Sequence, residues 1–214
     1  MISMMARKDI IGIFGGTFDP PHLGHTGLAR EILNCGAAEE IVFVPAPVPP
    51  HKPGSPSADF ADRLKMLELA VAGVPHFSVS DIEGRREGPS YTYDTLTELS
   101  AMFSGAEIRL VLGADSLETL HSWLKGRDIV REWKLIVYPR PGHSPSEASL
   151  SENWDSVTAA GLAASILPIK AVFDIASTEI RYRIRQGKTL DGLLAPQVLR
   201  HIREKGLYKG DCSP

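Results

Sequence analysis

With 214 residues, 43% of them hydrophobic and 23% charged, the chain can bury the core of a single domain, with room for a small appended part. A net charge of −3 speaks against a protein that coats nucleic acid. Two cysteines, Cys35 and Cys212, make neither a disulfide framework nor a zinc cluster, which fits a reducing, cytoplasmic setting; no secretory leader and no membrane span is expected.

The apolar run Ile10 to Phe14 reads as a short buried strand. Leu28, Ala29, Ile32 and Leu33 fall at helical spacing in the segment 26–33. Between them lies Gly15-Gly16-Thr17-Phe18-Asp19-Pro20-Pro21-His22-Leu23-Gly24-His25, a strand-to-helix turn of the kind at which open α/β sheets bind ligands. Gly15 and Gly16 lack a Cβ, so positive φ and close approach to a ligand are expected there. Free N–H groups at the helix start favour an anion. His22 and His25 share a face if the helix begins near His22, so both can donate to one phosphate, and Thr17 adds a hydroxyl.

Glu40 to Pro45 is the second strand, ended by its proline. Five prolines stiffen residues 46–56, where His51 and Lys52 either sit on a surface connection or overhang the ligand site. Ala58 to Ala72 is an amphipathic helix with Leu64, Leu67, Ala70 and Val71 as its stripe, widened by Met66 and Leu69. Phe77 to Ile82 alternates as a strand, Glu83 to Pro89 is a loop with solvated Arg85 and Arg86, and a helix runs to Phe103, capped by Ser90 or Thr92.

Glu107 to Leu112 is the next strand, and Gly113-Ala114-Asp115-Ser116 makes a second strand-to-helix turn. Asp115 is either that helix's N-cap or an acceptor for a ribose hydroxyl. Trp123, eight residues on, is either half-buried packing or a stacking surface for a flat ring. Trp133 to Tyr138 is a strand leading into Pro139-Arg140-Pro141-Gly142-His143. Residues 144–156 read as a flexible insertion, with strand candidates at 165–170 and 171–175. In Ala176-Ser177-Thr178-Glu179-Ile180-Arg181, Ser177 or Thr178 caps a helix, and Arg181 and Arg185 share a face suited to phosphate. Ala195 to Lys205 is a last amphipathic helix, ended by Gly206-Leu207-Tyr208. These patterns predict a Rossmann-like, doubly wound α/β fold with a mainly parallel sheet covered by helices on both faces. Residues 1–214 are read as one domain, with the core over about 9–175 and a C-terminal helical part over about 176–208.

The Gly-Gly-Thr-Phe-Asp-Pro-x-His-x-Gly-His stretch resembles the signature of the nucleotidyltransferases related to class I aminoacyl-tRNA synthetases. The bacterial nicotinate-nucleotide adenylyltransferases are the most similar branch. Residues 176–181 are similar to that family's Ser/Ala-Thr-x-Ile-Arg motif, and the likeness extends from Gly12 to Tyr208. The resemblance implies ATP and nicotinate mononucleotide as substrates, with magnesium arriving on the ATP. It implies catalytic roles for His22 and His25. It places Gly15, Gly16, Thr17, Phe18, Lys52, Gly113, Asp115, Ser177, Thr178 and Arg181 around ATP and its phosphates. It places Tyr91, Thr92, Trp123, Leu124 and Arg140 around the pyridine nucleotide. Leu124 stands where the family has an aromatic residue, so backbone N–H contacts would remain while a second stacking ring is lost.

The chemistry fits this residue set. A mononucleotide phosphate is already an anion at neutral pH, so attack on ATP needs no general base; positioning and charge stabilisation suffice. The spacing of His22 and His25 is one that zinc can use, but with few carboxylates and no cysteine nearby no resident metal is assigned. Two alternatives stand beside this reading: an adenylyltransferase for nicotinamide mononucleotide or phosphopantetheine, and a non-catalytic nucleotide-binding regulator on the same scaffold. No nucleic-acid or membrane partner is expected, and a homo-oligomer is left open.

Overall fold

The computed structural model describes residues 9–47, 58–169 and 175–209. His51, Lys52 and all but the last residue of the strand candidate at 171–175 lie outside the described residues. Five parallel strands, β1 (Ile10–Gly16), β2 (Glu40–Pro45), β3 (Phe77–Val79), β4 (Glu107–Gly113) and β5 (Lys134–Tyr138), pair in the order β3-β2-β1-β4-β5. The chain builds outward from β1 to β3, then crosses back to β4 on the other side of β1. That reversal opens a crevice at the carboxyl ends of β1 and β4.

Both faces of the sheet are covered, which is why its strands read as near-continuous apolar runs. Ile11, Ile13, Val42, Val44, Ile108, Leu110 and Leu112 point to one face. There they meet Leu96 and Leu99 of α3 (Thr92–Met102), Leu117 of α4 (Ala114–Thr119), Ile129 of α5 (Gly126–Glu132) and Leu162 of α7 (Ser156–Ala164). The alternate residues Phe14, Ile41, Phe43, Val111 and Ile136 point the other way, onto Ala29 and Ile32 of α1 (Leu23–Asn34) and Leu67 and Val71 of α2 (Phe60–Val71). Gly12 lets side chains of the two neighbouring strands close over β1, because a Cβ there would lie 2.8 Å from Ile41 Cδ1 and 3.2 Å from Val111 Cγ2.

A third cluster joins α2, through Met66, to α8 (Ser177–Arg185) and α9 (Pro196–Lys205), through Ile180, Val198 and Ile202. Gly206 ends α9 in the left-handed conformation with φ 64°.

Three expectations change. The third strand stops at Val79, and Ile82–Arg85 forms a 3₁₀ turn that buries Ile82 and Glu83. Residues 144–156 are not a loose insertion: they carry α6 (Glu147–Leu150) and bury Leu150 and Trp154 in the core. Described residues 165–169 form no strand. Ser165 and Leu167 make one bridge to the outer edge of β5, the Val137 N–H donating to the Ser165 carbonyl at 3.0 Å and the Leu167 N–H to the Val137 carbonyl at 2.8 Å.

Candidate active site

The turn after β1 is built by aromatic packing. The positive φ is not at Gly15 or Gly16 but at Phe18, at 50°, a backbone conformation that costs a bulky residue energy. It folds the Phe18 ring back over Gly16, where a Cβ would lie 2.9 Å from the ring. The ring then packs edge-on to Phe14, Phe43 and His25. Gly15 is exposed with open space where a Cβ would stand, which leaves the strand end approachable.

His22 is the N-cap of α1, and its ring stacks on that of His25 with centroids 3.6 Å apart and 22° between planes. The His22 backbone N–H donates to His25 Nδ1 at 3.1 Å. A nitrogen that accepts carries no proton, so in the neutral ring the His25 proton sits on Nε2, as a donor. His22 is 7% exposed, and its Nδ1 has no hydrogen-bond partner among the described residues. Burial, and after it the charge of Arg140, holds the His22 pKa at about 4. At neutral pH the pair is therefore not two imidazolium donors, and the neutral His22 ring offers one N–H. Not every backbone N–H at the helix start is free either, since that of Leu23 donates to the Leu193 carbonyl at 2.9 Å.

This burial has a measurable consequence. Between pH 6.5, the ordinary histidine value, and pH 4 the unfolded chain binds a proton at His22 that the folded chain does not. Stability contributed here is present above pH 6.5 and is lost as pH falls to about 4, by roughly 3 kcal/mol. Urea midpoints measured at steps from pH 7 to pH 4.5 are expected to fall, and His22→Asn is expected to flatten that slope.

The start of α8 meets this turn. No side chain caps α8: its N-cap is Ala176, not Ser177 or Thr178. The Ser177 hydroxyl instead donates to the Pro20 carbonyl at 2.9 Å, and Arg181 Nη1 donates to the Asp19 carbonyl at 2.7 Å. Arg181 Nη2 also donates to the Thr178 hydroxyl at 3.3 Å. Arg185 is exposed, while Arg183 is paired with Glu179. The stacked histidines and an uncapped helix start bearing an arginine thus flank one turn.

Asp115 is not the N-cap of α4, a place taken by Gly113. Its carboxyl group lies 3.4 Å from Arg140 Nε, and Arg140 Nη2 donates to the Tyr138 hydroxyl at 3.2 Å. A Cβ on Gly113 would collide with Asp115 Oδ1 and come within 3.0 Å of Arg140 Nε. Gly113→Ala is expected to separate that pair and raise KM about fivefold with little change in stability, since the displaced atoms end flexible side chains. Steady-state kinetics beside a thermal melt checks it.

The remaining expected residues form a second group. Tyr91 is the N-cap of α3 and Thr92 its first residue; neither Thr92 nor Ser90 caps it, and the Ser90 hydroxyl donates to the Glu83 carbonyl at 3.3 Å. Trp123 packs half-buried against the core after α4, and Leu124 is 48% exposed. The next residue, Lys125, sits 4.0 Å over the Tyr93 ring, which ties this segment to the start of α3.

Three buried polar residues were not foreseen. Arg63 of α2 is 1% exposed and donates to the carbonyls of Thr17, Ala46, Pro47 and Ala58 at 2.7 to 3.2 Å. Asp19, 4% exposed, accepts from the Ala58 N–H at 3.1 Å. Burial pushes the Glu83 carboxyl above its usual range; it accepts from Thr95, which Arg86 also contacts on its way to Glu98, so Arg86 is not simply solvated. The one signal for Arg63 is its place four residues before Leu67 and three before Met66, on the apolar stripe of its helix.

The cytidylyltransferase-like family model matches residues 13–183. A probable nicotinate-nucleotide adenylyltransferase of Geobacillus kaustophilus is 41% identical over 199 residues, covering 92% of this chain and 85% of its own. The nicotinate-nucleotide adenylyltransferase of Bacillus subtilis is 36% identical over 199 residues, covering 93% of this chain and 98% of its own. Among solved structures, Plasmodium falciparum nicotinic acid mononucleotide adenylyltransferase complexed with NaAD superposes with a TM-score of 0.74 at 21% identity, over 94% of this chain and 97% of that one, a likeness of fold. By the family model that it matches and by relatives of 36 to 41% identity over most of its length, the chain belongs to the cytidylyltransferase-like nucleotidyltransferases, in the family of nicotinate-nucleotide adenylyltransferases.

Proposed function

We propose that the protein joins ATP and nicotinate mononucleotide into deamido-NAD, releasing pyrophosphate, as a step of NAD biosynthesis. An oxygen of the mononucleotide phosphate attacks the α-phosphorus of ATP. The bond from that phosphorus to the β-phosphate bridging oxygen breaks, and pyrophosphate leaves with the electron pair. No protein nucleophile is needed, and the attacking oxygen is already ionised at neutral pH.

The observation that carries this reading is the convergence of His22 and His25 with Ser177 and Arg181 on the turn Asp19–Pro20. In the proposed complex the Nε2–H of His25 and the ring N–H of His22 donate to the α-phosphate, where charge develops. Arg181, Thr178, Lys52 and the backbone N–H of Ser177 hold the β- and γ-phosphates, the guanidinium in a two-point contact. Asp115 accepts from a ribose hydroxyl, with Arg140 beside it. Gly15, Gly16, Thr17, Phe18 and Gly113 shape the approach. Trp123 stacks on the pyridine ring, and the backbone N–H groups near Tyr91, Thr92 and Leu124 face its carboxylate.

Among the described residues no group of three or more His, Cys, Asp or Glu side chains could hold a metal ion. Magnesium carried by the triphosphate would neutralise phosphate charge when bound. Among the described residues no helix is long and apolar enough to cross a membrane.

Pyrophosphate release from ATP and magnesium, assayed in parallel with nicotinate mononucleotide, nicotinamide mononucleotide and phosphopantetheine, tests the proposal. Preference for the acid supports it. Preference for either other acceptor keeps the ATP site and removes the pyridine assignment. Silence with all three while ATP binds favours an untested acceptor or the regulator.

A further inference from the structure

Tyr208, near the end of the described chain, is buried among the residues that join α9 to α2. Its hydroxyl donates to Asp19 Oδ1 at 2.9 Å. The same oxygen accepts from the Ala58 N–H at 3.1 Å, and the Asp19 backbone carbonyl accepts from Arg181 Nη1 at 2.7 Å. Arg181 Nη1 also lies 3.7 Å from the Asp19 carboxylate. One residue of the first turn thus collects contacts from the start of α2, from α8 and from the end of the chain. His22 follows it by three positions.

The backbone at both ends of this link is unusual. Phe18, beside Asp19, has φ 50°, and Tyr208 itself has φ 62°. Bulky side chains rarely adopt that left-handed region, and such conformations persist where surrounding contacts fix them. Nothing in the proposed chemistry calls on Tyr208.

We propose that Tyr208 is a positioning residue for ATP: through Asp19 its hydroxyl holds the first turn in register with the start of α8, so that the histidines and Arg181 address one triphosphate together. This rests on the nucleotidyl-transfer reading of the site. A phenol suits the task. Burial first, then the charge of Asp19, pushes its pKa far above the ordinary value, so the hydroxyl stays a donor across the working pH range. The phenol ring also belongs to the C-terminal cluster, so docking of α8 and α9 on the core and the geometry of the first turn are set by one side chain.

The test is binding of a non-hydrolysable ATP analogue to the full-length protein and to Tyr208→Phe, which keeps the ring and deletes the hydroxyl. Ile202→Val, a lost methyl in the same cluster, controls for general loosening. Tyr208→Phe is expected to weaken the analogue about tenfold, while KM for nicotinate mononucleotide stays within roughly twofold and Ile202→Val binds as wild type. Asp19→Asn reads the link from its other end: it is expected to weaken the analogue as well, and adding Tyr208→Phe to it should cost little more. Unchanged binding in Tyr208→Phe, an equal loss in Ile202→Val, or full additivity of the two substitutions in the link overturns the proposal. Wild-type protein that does not bind the analogue overturns the nucleotidyl-transfer reading beneath it.

Discussion

Replacing His25 by alanine is expected to lower turnover about 100- to 1,000-fold while the protein still folds. His25 fixes the turn in two ways: its Nδ1 accepts the His22 backbone N–H at 3.1 Å, and its ring lies against those of His22 and Phe18. Its Nε2 proton is the donor proposed to meet the α-phosphate as its charge grows. A donor aimed where charge develops, in a site shielded from water, lowers the barrier more than it tightens ground-state binding. The loss should therefore fall on kcat, with KM for ATP changed far less. Far-ultraviolet circular dichroism and a thermal melt establish that the variant is folded. Near-normal turnover in a folded His25→Ala protein would remove the catalytic role.

The second large effect is on stability. Arg63→Leu is expected to cost about 3–5 kcal/mol, among the larger single-residue losses. The guanidinium donates to four carbonyls, those of Thr17, Ala46, Pro47 and Ala58. A leucine fills much of the volume but leaves four carbonyls, one buried and three partly buried, without that donor. Because Thr17 belongs to the first turn, ATP affinity should fall together with the denaturation midpoint. Arg63→Lys keeps the charge and loses the planar fork of donors, so it should land between wild type and leucine. A urea titration of the three proteins decides it, and a leucine variant within 1 kcal/mol of wild type would contradict the hub role.

Much of the fold was legible because parallel strands buried on both faces leave unbroken apolar runs, as at Ile41 to Val44. The position of the site followed from the two strand-to-helix turns on either side of the reversal in strand order. Side-chain roles were less legible. Caps were expected at Ser90 or Thr92, Ser177 or Thr178, and Asp115, and none of the three helix starts uses one; Ser177 spends its hydroxyl on the Pro20 carbonyl instead. A serine before a helix has local partners that sequence shows and distant ones that it does not. The positive φ expected at the glycine pair sits at Phe18, because aromatic packing across three elements stabilises it. Arg63 and Asp19 were missed for the same reason: their partners lie up to 46 and 189 residues away. Residues 144–156 read as loose because their polar composition hid two anchors, Leu150 and Trp154.

The central claim is that a phosphate oxygen of the mononucleotide attacks the α-phosphorus of ATP. Following radiolabel from ATP marked at the α- or the γ-phosphate, with nicotinate mononucleotide as acceptor, tests it most directly. The mechanism predicts that α-label appears in the dinucleotide and γ-label in pyrophosphate. Transfer of γ-label to the acceptor, or α-label left in free AMP or ADP, would contradict it.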